Sequence, residues 1–323
     1  MNDTRTPHRN PLPARGARAP GAREAGEGRR RRMSPGRWLV GGPPLAYLVV
    51  FFLLPTLIMV LASFRSPGEF GGLAPLVDET GKVDLNLESY ARLVAEPVFL
   101  QVFLKSAWYA LLTTLFCLLL AYPLATLIAK SAKRYRDLLL LLVILPFWSN
   151  FLIRIYAWMI ILGPNAALAR FVNGALATFG AEPVPLLFSA FAVLVCLVYV
   201  HLPFMVLPLY ANLEKHDQAL LDAAQDLGAN AWQRFWRITF PLSLPGVYAG
   251  AALVFIPALG IFAIPDILGG PDDTLIGNLI KQQFLETRDW PFGSVLSIVL
   301  TVSALVLAGA AAWVGRRGIG SRA

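Results

Sequence analysis

The sequence predicts an all-α integral membrane protein with six transmembrane helices and both termini in the cytoplasm. Three observations carry this prediction. Of the 323 residues, 56% are apolar and 15% charged, against about 45–50% and 25% in an ordinary soluble domain, and the mean hydropathy is +0.59. Six apolar runs each reach the roughly 20 residues that a helix needs to cross a bilayer. Lys and Arg are also distributed unevenly: 20 fall in segments on the N-terminal side of the membrane and 6 on the opposite side. Cytoplasmic loops carry the cationic excess, so the N- and C-termini are placed inside. Without residues 1–37 the bias is still 10 to 6. A β-barrel is excluded because no ten-residue alternation of inward and outward side chains occurs.

Several chemistries are absent from the pattern. Cys117 and Cys196 each sit inside an apolar run, so neither a disulfide framework nor a thiolate metal site is expected. His8, His201 and His216 have no metal-ligand spacing, and His201 reads as a packing residue. Neither a catalytic nor a metal site is expected. The net charge of +8 could suggest nucleic acid, but ten of the 28 basic residues lie in the first 37 positions, so no nucleic-acid partner is expected.

In chain order, residues 1–37 mix Arg, Pro, Gly and Ala with almost no large apolar side chain and are expected to form a disordered cytoplasmic tail. The tail's charge holds the N-terminus inside, with anionic headgroups as a second role. Met33 is an alternative translation start. The first span, Trp38–Phe64, is too long for a signal-peptide core. The outer loop 65–101 holds six acidic residues (Glu69, Asp78, Glu79, Asp84, Glu88 and Glu96) and reads either as a solvated loop or as part of a docking surface. Within it Leu87–Val94 has helical apolar spacing and is read as a short interfacial helix.

The second and third spans are Val102–Ala129 and Leu138–Leu162, joined by a cationic inner turn. The fourth is Leu186–Tyr210, the fifth Leu242–Leu268 and the sixth Phe292–Val314, with 315–323 as a cytoplasmic tail. Pro55, Pro123, Pro146, Pro203, Pro208, Pro257 and Pro265 lie in these spans. Kinks are expected there, with neighbouring helices satisfying the backbone groups that proline frees. Gly246 and Gly250 form a small-x-x-x-small pair that permits close helix approach.

The inner connection 211–241 is longer than two spans require. Asp217 suits a helix N-cap, Ala219–Leu227 favours helix, and Gly228 fits the position after its end. A second helical stretch, Ala231–Ile238, closes at Pro241. A helix–turn–helix under the membrane suits insertion into a groove of another protein. Exposed Asn230 between the two helices is expected to tolerate substitution.

Asp222-Ala223-Ala224, three residues, Gly228, nine residues, Ile238, one residue and Phe240-Pro241 resemble the EAA loop of ATP-binding-cassette (ABC) importer permeases. Asp222 replaces the family's Glu and Phe240 its Leu. The resemblance implies a type I importer fold and an ATPase-coupling loop carried by Asp222, Ala223, Ala224, Gly228, Ile238 and Pro241. It also implies partners: a cytoplasmic ATP-binding subunit, a second permease and an extracytoplasmic substrate-binding protein, in the inner membrane of a bacterium. The stretches Leu145–Trp158, Leu162–Asn165, Ile264–Gly270, Ile276–Ile280 and Arg288–Phe292 resemble polyamine-importer permeases, in particular the first permease of spermidine/putrescine systems. The likeness covers residues 38–314.

Ionisable groups in a span need a partner or a purpose. Arg154 lies about 24 Å along the third span and Asp266 about 36 Å along the fifth, counted at about 1.5 Å per residue. Either each is ion-paired or reaches the outer interface, or Asp266 attracts a cationic solute at the outer mouth. A polyamine presents ammonium groups, and Trp148, Tyr156, Trp158 and Tyr199 offer aromatic faces to them. The same aromatics also read as interface anchors. The chain lacks Gly-x4-Gly-Lys-Ser/Thr, so it is expected to be no enzyme and to carry no cofactor, with ATP on the partner subunit. Two alternatives stay open: a permease for another small organic solute, and an ion-coupled secondary transporter. The latter would need a mid-membrane ion site and two similar halves.

Overall fold

The computed structural model describes residues 35–77, 81 and 85–320. Residues 1–34 of the expected disordered tail, and Asp78, Glu79 and Asp84 of the outer loop, lie outside the described residues. Pro35–Arg37, predicted as tail, already belong to a helix. The chain divides into two units between Leu54 and Pro55.

In the first unit α1 (Pro35–Leu48) is followed by a π-helical turn, Val49–Leu53, and Tyr47 packs on Phe51 with ring centroids 4.7 Å apart. Helix α2 (Leu54–Ala62) begins on the last residue of this unit and otherwise belongs to the second. The second unit then contains α3 (Glu88–Ala95), α4 (Pro97–Lys130), α5 (Lys133–Ile144) and α6 (Phe151–Leu162), with a 3-10 turn at Leu145–Trp148. Next come α7 (Ala167–Thr178), α8 (Ala190–Leu213), α9 (Gln218–Asp226) and α10 (Ala231–Arg234). A π-helical turn at Phe235–Thr239 leads into α11 (Phe240–Gly260). Helices α12 (Ala263–Leu268), α13 (Ile276–Leu285) and α14 (Trp290–Gly320) complete the unit. Among the described residues there is no strand, only an isolated bridge between Pro67 and Leu73.

Six helical stretches are long and apolar enough to cross a membrane: Gly41–Ala62, Pro97–Lys130, Phe151–Thr178, Ala190–Leu213, Ala231–Gly260 and Trp290–Ala311. Their number agrees with the sequence; their boundaries differ in three instructive places. The third span is not one helix over Leu138–Leu162. Pro146 cannot donate to the carbonyl of Leu142, Ser149 is extended, and Asn150 restarts the helix by accepting from the Leu152 amide at 2.8 Å. The apolar stretch long enough to span instead takes in both α6 and α7, Phe151–Thr178, with a non-helical break at Gly163–Ala166, where the sequence suggested only a connection.

The fifth span likewise does not run unbroken to Leu268. Pro265 offers no N–H to the carbonyl of Ile261, α11 stops at Gly260, and the Phe262 carbonyl accepts from Asn278 Nδ2 at 3.0 Å. Asp266 therefore stands on the separate short helix α12, past the span. At the inner end of the same span, Pro241 does not close a helix. The chain is helical from Ala231 to Gly260. The π-turn pairs the Phe240 amide with the Phe235 carbonyl five residues back, and this wider turn leaves room for the ring of the following proline, whose missing N–H would have gone unpaired anyway. The same arrangement occurs at Leu54-Pro55, where the Leu54 amide pairs with Val49. Helix α14 continues to Gly320, so most of the segment 315–323 that was expected as a tail is helical.

Helices α4, α8 and α11 pack on one another and form the centre of the second unit. Cys117, Ala121, Ala125 and Ile128 of α4 meet Met205, Val206 and Leu209 of α8 and Val247 and Val254 of α11, all buried. The small pair on α11 lies at this contact: a Cβ on Gly250 would sit 2.6 Å from Met205 Sδ and 3.3 Å from its Cα. Cys196 and His201 are buried on α8 as packing residues. A second cluster joins α6, α7, α8 and α12 through Ile155, Leu162, Ala169, Val193, Leu197, Ile264 and Leu268.

Candidate functional site

Two regions at opposite ends of α11 collect the residues singled out from the sequence. At the inner end, Asp217 caps α9 by accepting from the Ala219 amide at 2.9 Å. Its N-cap role follows from a short side chain whose oxygen reaches the first free amides. Helix α9 ends in a two-bond motif: Gly228 N–H donates to Gln225 O at 2.9 Å and Ala229 N–H to Ala224 O at 2.9 Å. That closure needs a left-handed residue, and Gly228 has φ +81°. Asn230 then caps α10, accepting from the Gln233 amide at 2.8 Å while Gln233 Oε1 accepts from the Asn230 amide at 3.0 Å. This capping box was missed from the sequence, although Asn230 and Gln233 have the required spacing. It overturns the expectation that Asn230 is a neutral position. Arg234 Nη1 donates to Gln225 Oε1 at 2.7 Å and fastens α10 to α9.

Asp222 and Ala223 are exposed and Ala224 is half-buried, so α9 presents a small-residue surface away from this chain. Ile238, in the π-turn, and Pro241, at the start of α11, are half-buried. The π-turn is held by rings: Phe235 meets Tyr122 of α4 edge-on at 5.2 Å, Trp236 meets Phe240 at 5.1 Å, and Tyr122 Oη bonds Ser243 Oγ at 2.9 Å. Nearby, Arg136 and Glu214 form an ion pair between α5 and the end of α8.

At the other end, Asp266 on α12 accepts from Asn278 Nδ2 and pairs with Lys281 Nζ at 2.5 Å, both on α13. This contact pushes the Lys281 pKa above its ordinary value, mainly through the hydrogen bond to Asp266. Asp266 and Asn278 line a cavity of about 540 Å³ together with Phe188, Pro265, Thr274 and Asp273. Asp273, not singled out from the sequence, is buried and accepts from Tyr109 Oη at 2.9 Å and from the Gly270 amide at 3.0 Å, with Lys105 Nζ 3.9 Å away. Only the fold brings Tyr109 and Lys105 of α4 to the loop after α12; no local spacing signals it.

Arg154 does not join this cavity. Its guanidinium lies 5.3 Å from the Phe147 ring and 5.8 Å from the Phe151 ring, with Nε buried and without a hydrogen-bond partner. Among the described residues it has no carboxylate partner, so Asp266 pairs with Lys281 and not with Arg154. Nor do the four aromatics gather at Asp266. Trp148 is 74% exposed and Tyr156 48% exposed, on the surface of this chain. Trp158 packs edge-on against Tyr199 at 5.6 Å, beside the cluster that holds α12 in place. Among the described residues no group of three or more His, Cys, Asp or Glu is placed to hold a metal ion.

Comparison with known proteins adds the following. The model of the family described as binding-protein-dependent transport system inner membrane component matches residues 119–318. The spermidine/putrescine transport system permease protein PotB of Salmonella typhimurium (strain LT2) is 45% identical over 260 residues, covering 80% of this chain and 86% of that protein. PotB of Escherichia coli (strain K12) is equally similar, with 90% of its length covered. The molybdenum transport system permease protein ModB of Mycobacterium bovis is 30% identical over 226 residues, covering 68% of this chain and 81% of its own. Among solved structures, a bacterial ABC transporter for the import of alginate matches with a TM-score of 0.68 at 20% identity, covering 88% of this chain and 96% of that one. An inward-facing methionine ABC transporter matches with a TM-score of 0.51 at 18% identity, covering 68% and 95%.

Proposed function

The chain belongs to the family of binding-protein-dependent transport system inner membrane components, and on that premise we propose that it moves polyamines such as spermidine and putrescine into the cytoplasm by alternating access. It is a multi-pass inner-membrane permease of an ABC importer. The observation that carries the choice of solute is the 45% identity, over 80% of the chain, to spermidine/putrescine permeases. In this reading a second permease completes the pathway, a periplasmic binding protein delivers the solute, and a separate cytoplasmic subunit binds and hydrolyses ATP. Both termini lie in the cytoplasm, and residues 38–314 form the permease domain.

The helix–turn–helix formed by α9 and α10 supplies the coupling. Helix α9 enters a groove of the ATPase with Asp222, Ala223 and Ala224 at the contact, and Gly228 turns the chain. Because Ala231–Gly260 is one helical run, about 45 Å at about 1.5 Å per residue, a displacement of the loop reaches the outer side without crossing a flexible joint. Past its end the chain breaks at Ile261–Phe262 and turns into α12 with Asp266. A carboxylate at an outer cavity suits an ammonium solute, and Lys281 holds that charge in balance when none is bound.

The test is reconstitution of the chain with its ATPase, second permease and binding protein in proteoliposomes, with labelled spermidine, putrescine and molybdate offered separately. Uptake of a polyamine that requires both enclosed ATP and the binding protein is expected. Uptake driven by an ion gradient without ATP would remove the ABC mechanism, and uptake of molybdate alone would remove the solute.

A further inference from the structure

We propose that the groove between α4 and the start of α11 binds an anionic phospholipid of the cytoplasmic leaflet, one acyl chain lying along α4 and the phosphate resting on Lys130. The choice of leaflet rests on the orientation given above. The groove holds about 780 Å³. Its floor is Leu119, Pro123 and Leu127 of α4, and its wall is Phe235, Trp236 and Phe240. Pro123 and Leu127 follow Leu119 at four-residue steps, so the floor is a continuous apolar stripe on one helix face.

Its dimensions match one leaflet. From Leu119 to Lys130 the helix advances about 16 Å at about 1.5 Å per residue, and half of a bilayer's hydrocarbon core is about 15 Å. The apolar part thus lies at acyl-chain depth and the charge at headgroup depth. Lys130 ends α4 and is exposed, and Lys133 and Arg134, also exposed, follow at the start of α5. Among the described residues Lys130 has no carboxylate partner, so its charge is available to a phosphate oxygen. Tyr122 and Thr126 also line the groove, but their hydroxyls are engaged by Ser243 and by the Tyr122 carbonyl. A slot otherwise apolar, with Lys130 as its one charged residue at one end, is complementary to an anionic lipid. The wall of the slot is the π-turn that joins the coupling loop to α11, so the lipid would touch the element that transmits the ATPase's motion.

The experiment is fluorescence quenching of the assembled transporter in phosphatidylcholine vesicles that contain either brominated phosphatidylglycerol or brominated phosphatidylcholine. The chain has eight tryptophans, and the difference between wild type and Trp236→Phe isolates Trp236. Quenching of Trp236 is expected at about fivefold lower mole fraction of the glycerol lipid than of the choline lipid, the effect of one lysine at an anionic surface. Lys130→Gln should abolish the difference and Lys130→Arg should keep it. Equal quenching by both lipids would make the groove ordinary lipid annulus, and absence of quenching by either would mean that protein covers it; both results overturn the proposal. The comparison of wild type with Trp236→Phe decides even where a Lys130 variant fails to assemble, and it uses no transported solute, so it stands apart from the test of transport.

Discussion

Asp266 engages two donors on one neighbouring helix, and its replacement tests charge separately from shape. Asp266→Ala removes the acceptor of both Asn278 and Lys281 and is expected to lower uptake severalfold while binding of the ATPase subunit persists. Asp266→Asn keeps the size and loses the charge, so equal losses in the two variants identify charge as the cause. Unchanged uptake at normal expression would leave Asp266 without a transport role. Because the raised pKa of Lys281 favours its charged form, the pair stays intact below the ordinary lysine value and loosens only as pH rises through the elevated one. The Asp266-dependent part of uptake should therefore be flat between about pH 6 and 8.

At the inner end, Gly228→Val forces a branched residue to φ +81°, at a cost of about 1 kcal/mol or more. Ala224→Trp adds bulk where α9 is proposed to enter its groove, where overpacking typically costs about 1–3 kcal/mol. Both variants should insert in the membrane yet lose the ATPase subunit on co-purification or hydrolyse ATP without uptake. Wild-type behaviour of both would mean that this loop does not transmit. Asn230→Ala, which breaks the capping box, should weaken the start of α10 by about 1 kcal/mol. Partial uncoupling is expected, with Asn230→Ser restoring it.

Among the elements, α11 carries the largest consequences because it meets α8 at backbone distance. Gly250→Leu would place its side chain against Met205, where even a Cβ stands 2.6 Å from Sδ. The helices must separate or tilt, and since α4, α8 and α11 share one buried cluster, the strain spreads to all three. A loss of about 1–3 kcal/mol is expected, measured as a lower melting temperature in detergent, whereas Gly309→Leu, at a position with nothing within 4 Å of a Cβ, should leave the melting temperature unchanged. The two π-turns are a second element-scale feature: each ends two residues before a proline within a helical run. Proline thus widens the helix here instead of stopping it.

For the whole molecule, the charge bias sets the direction in which all of this operates. With 20 cationic residues on one side against 6 on the other, residues 217–230 should be inside and residues 265–285 outside. Single cysteines placed at Asn230 and Glu286 in a chain lacking Cys117 and Cys196 test this with an impermeant thiol reagent on whole cells. Labelling at 286 and protection at 230 are expected. The reverse would place α9 where no ATPase could reach it, and the coupling role would fall with it.

The sequence by itself determined what local chemistry decides. Six apolar runs dictate six spans because a buried backbone in lipid must be helical. Asp217, Gly228 and their spacing define α9, because a cap and a left-handed closure involve only neighbouring residues. The Gly246/Gly250 pair announces a close helix contact because small side chains have few other uses at that spacing. Tertiary structure alone decided where the spans break and which polar groups meet. A proline in a helical pattern permits a stop, a kink or a π-turn. Which one occurs at Pro146, Pro241 and Pro265 depends on partners far along the chain, such as Asn278 on the Phe262 carbonyl. The pairing of Asp266 with Lys281, the seat of Asp273 under Tyr109, and the isolation of Arg154 between two phenyl rings have the same origin. Electrostatic partners are chosen by distance in space, and separations of 15 and 164 residues leave no periodic trace in the sequence.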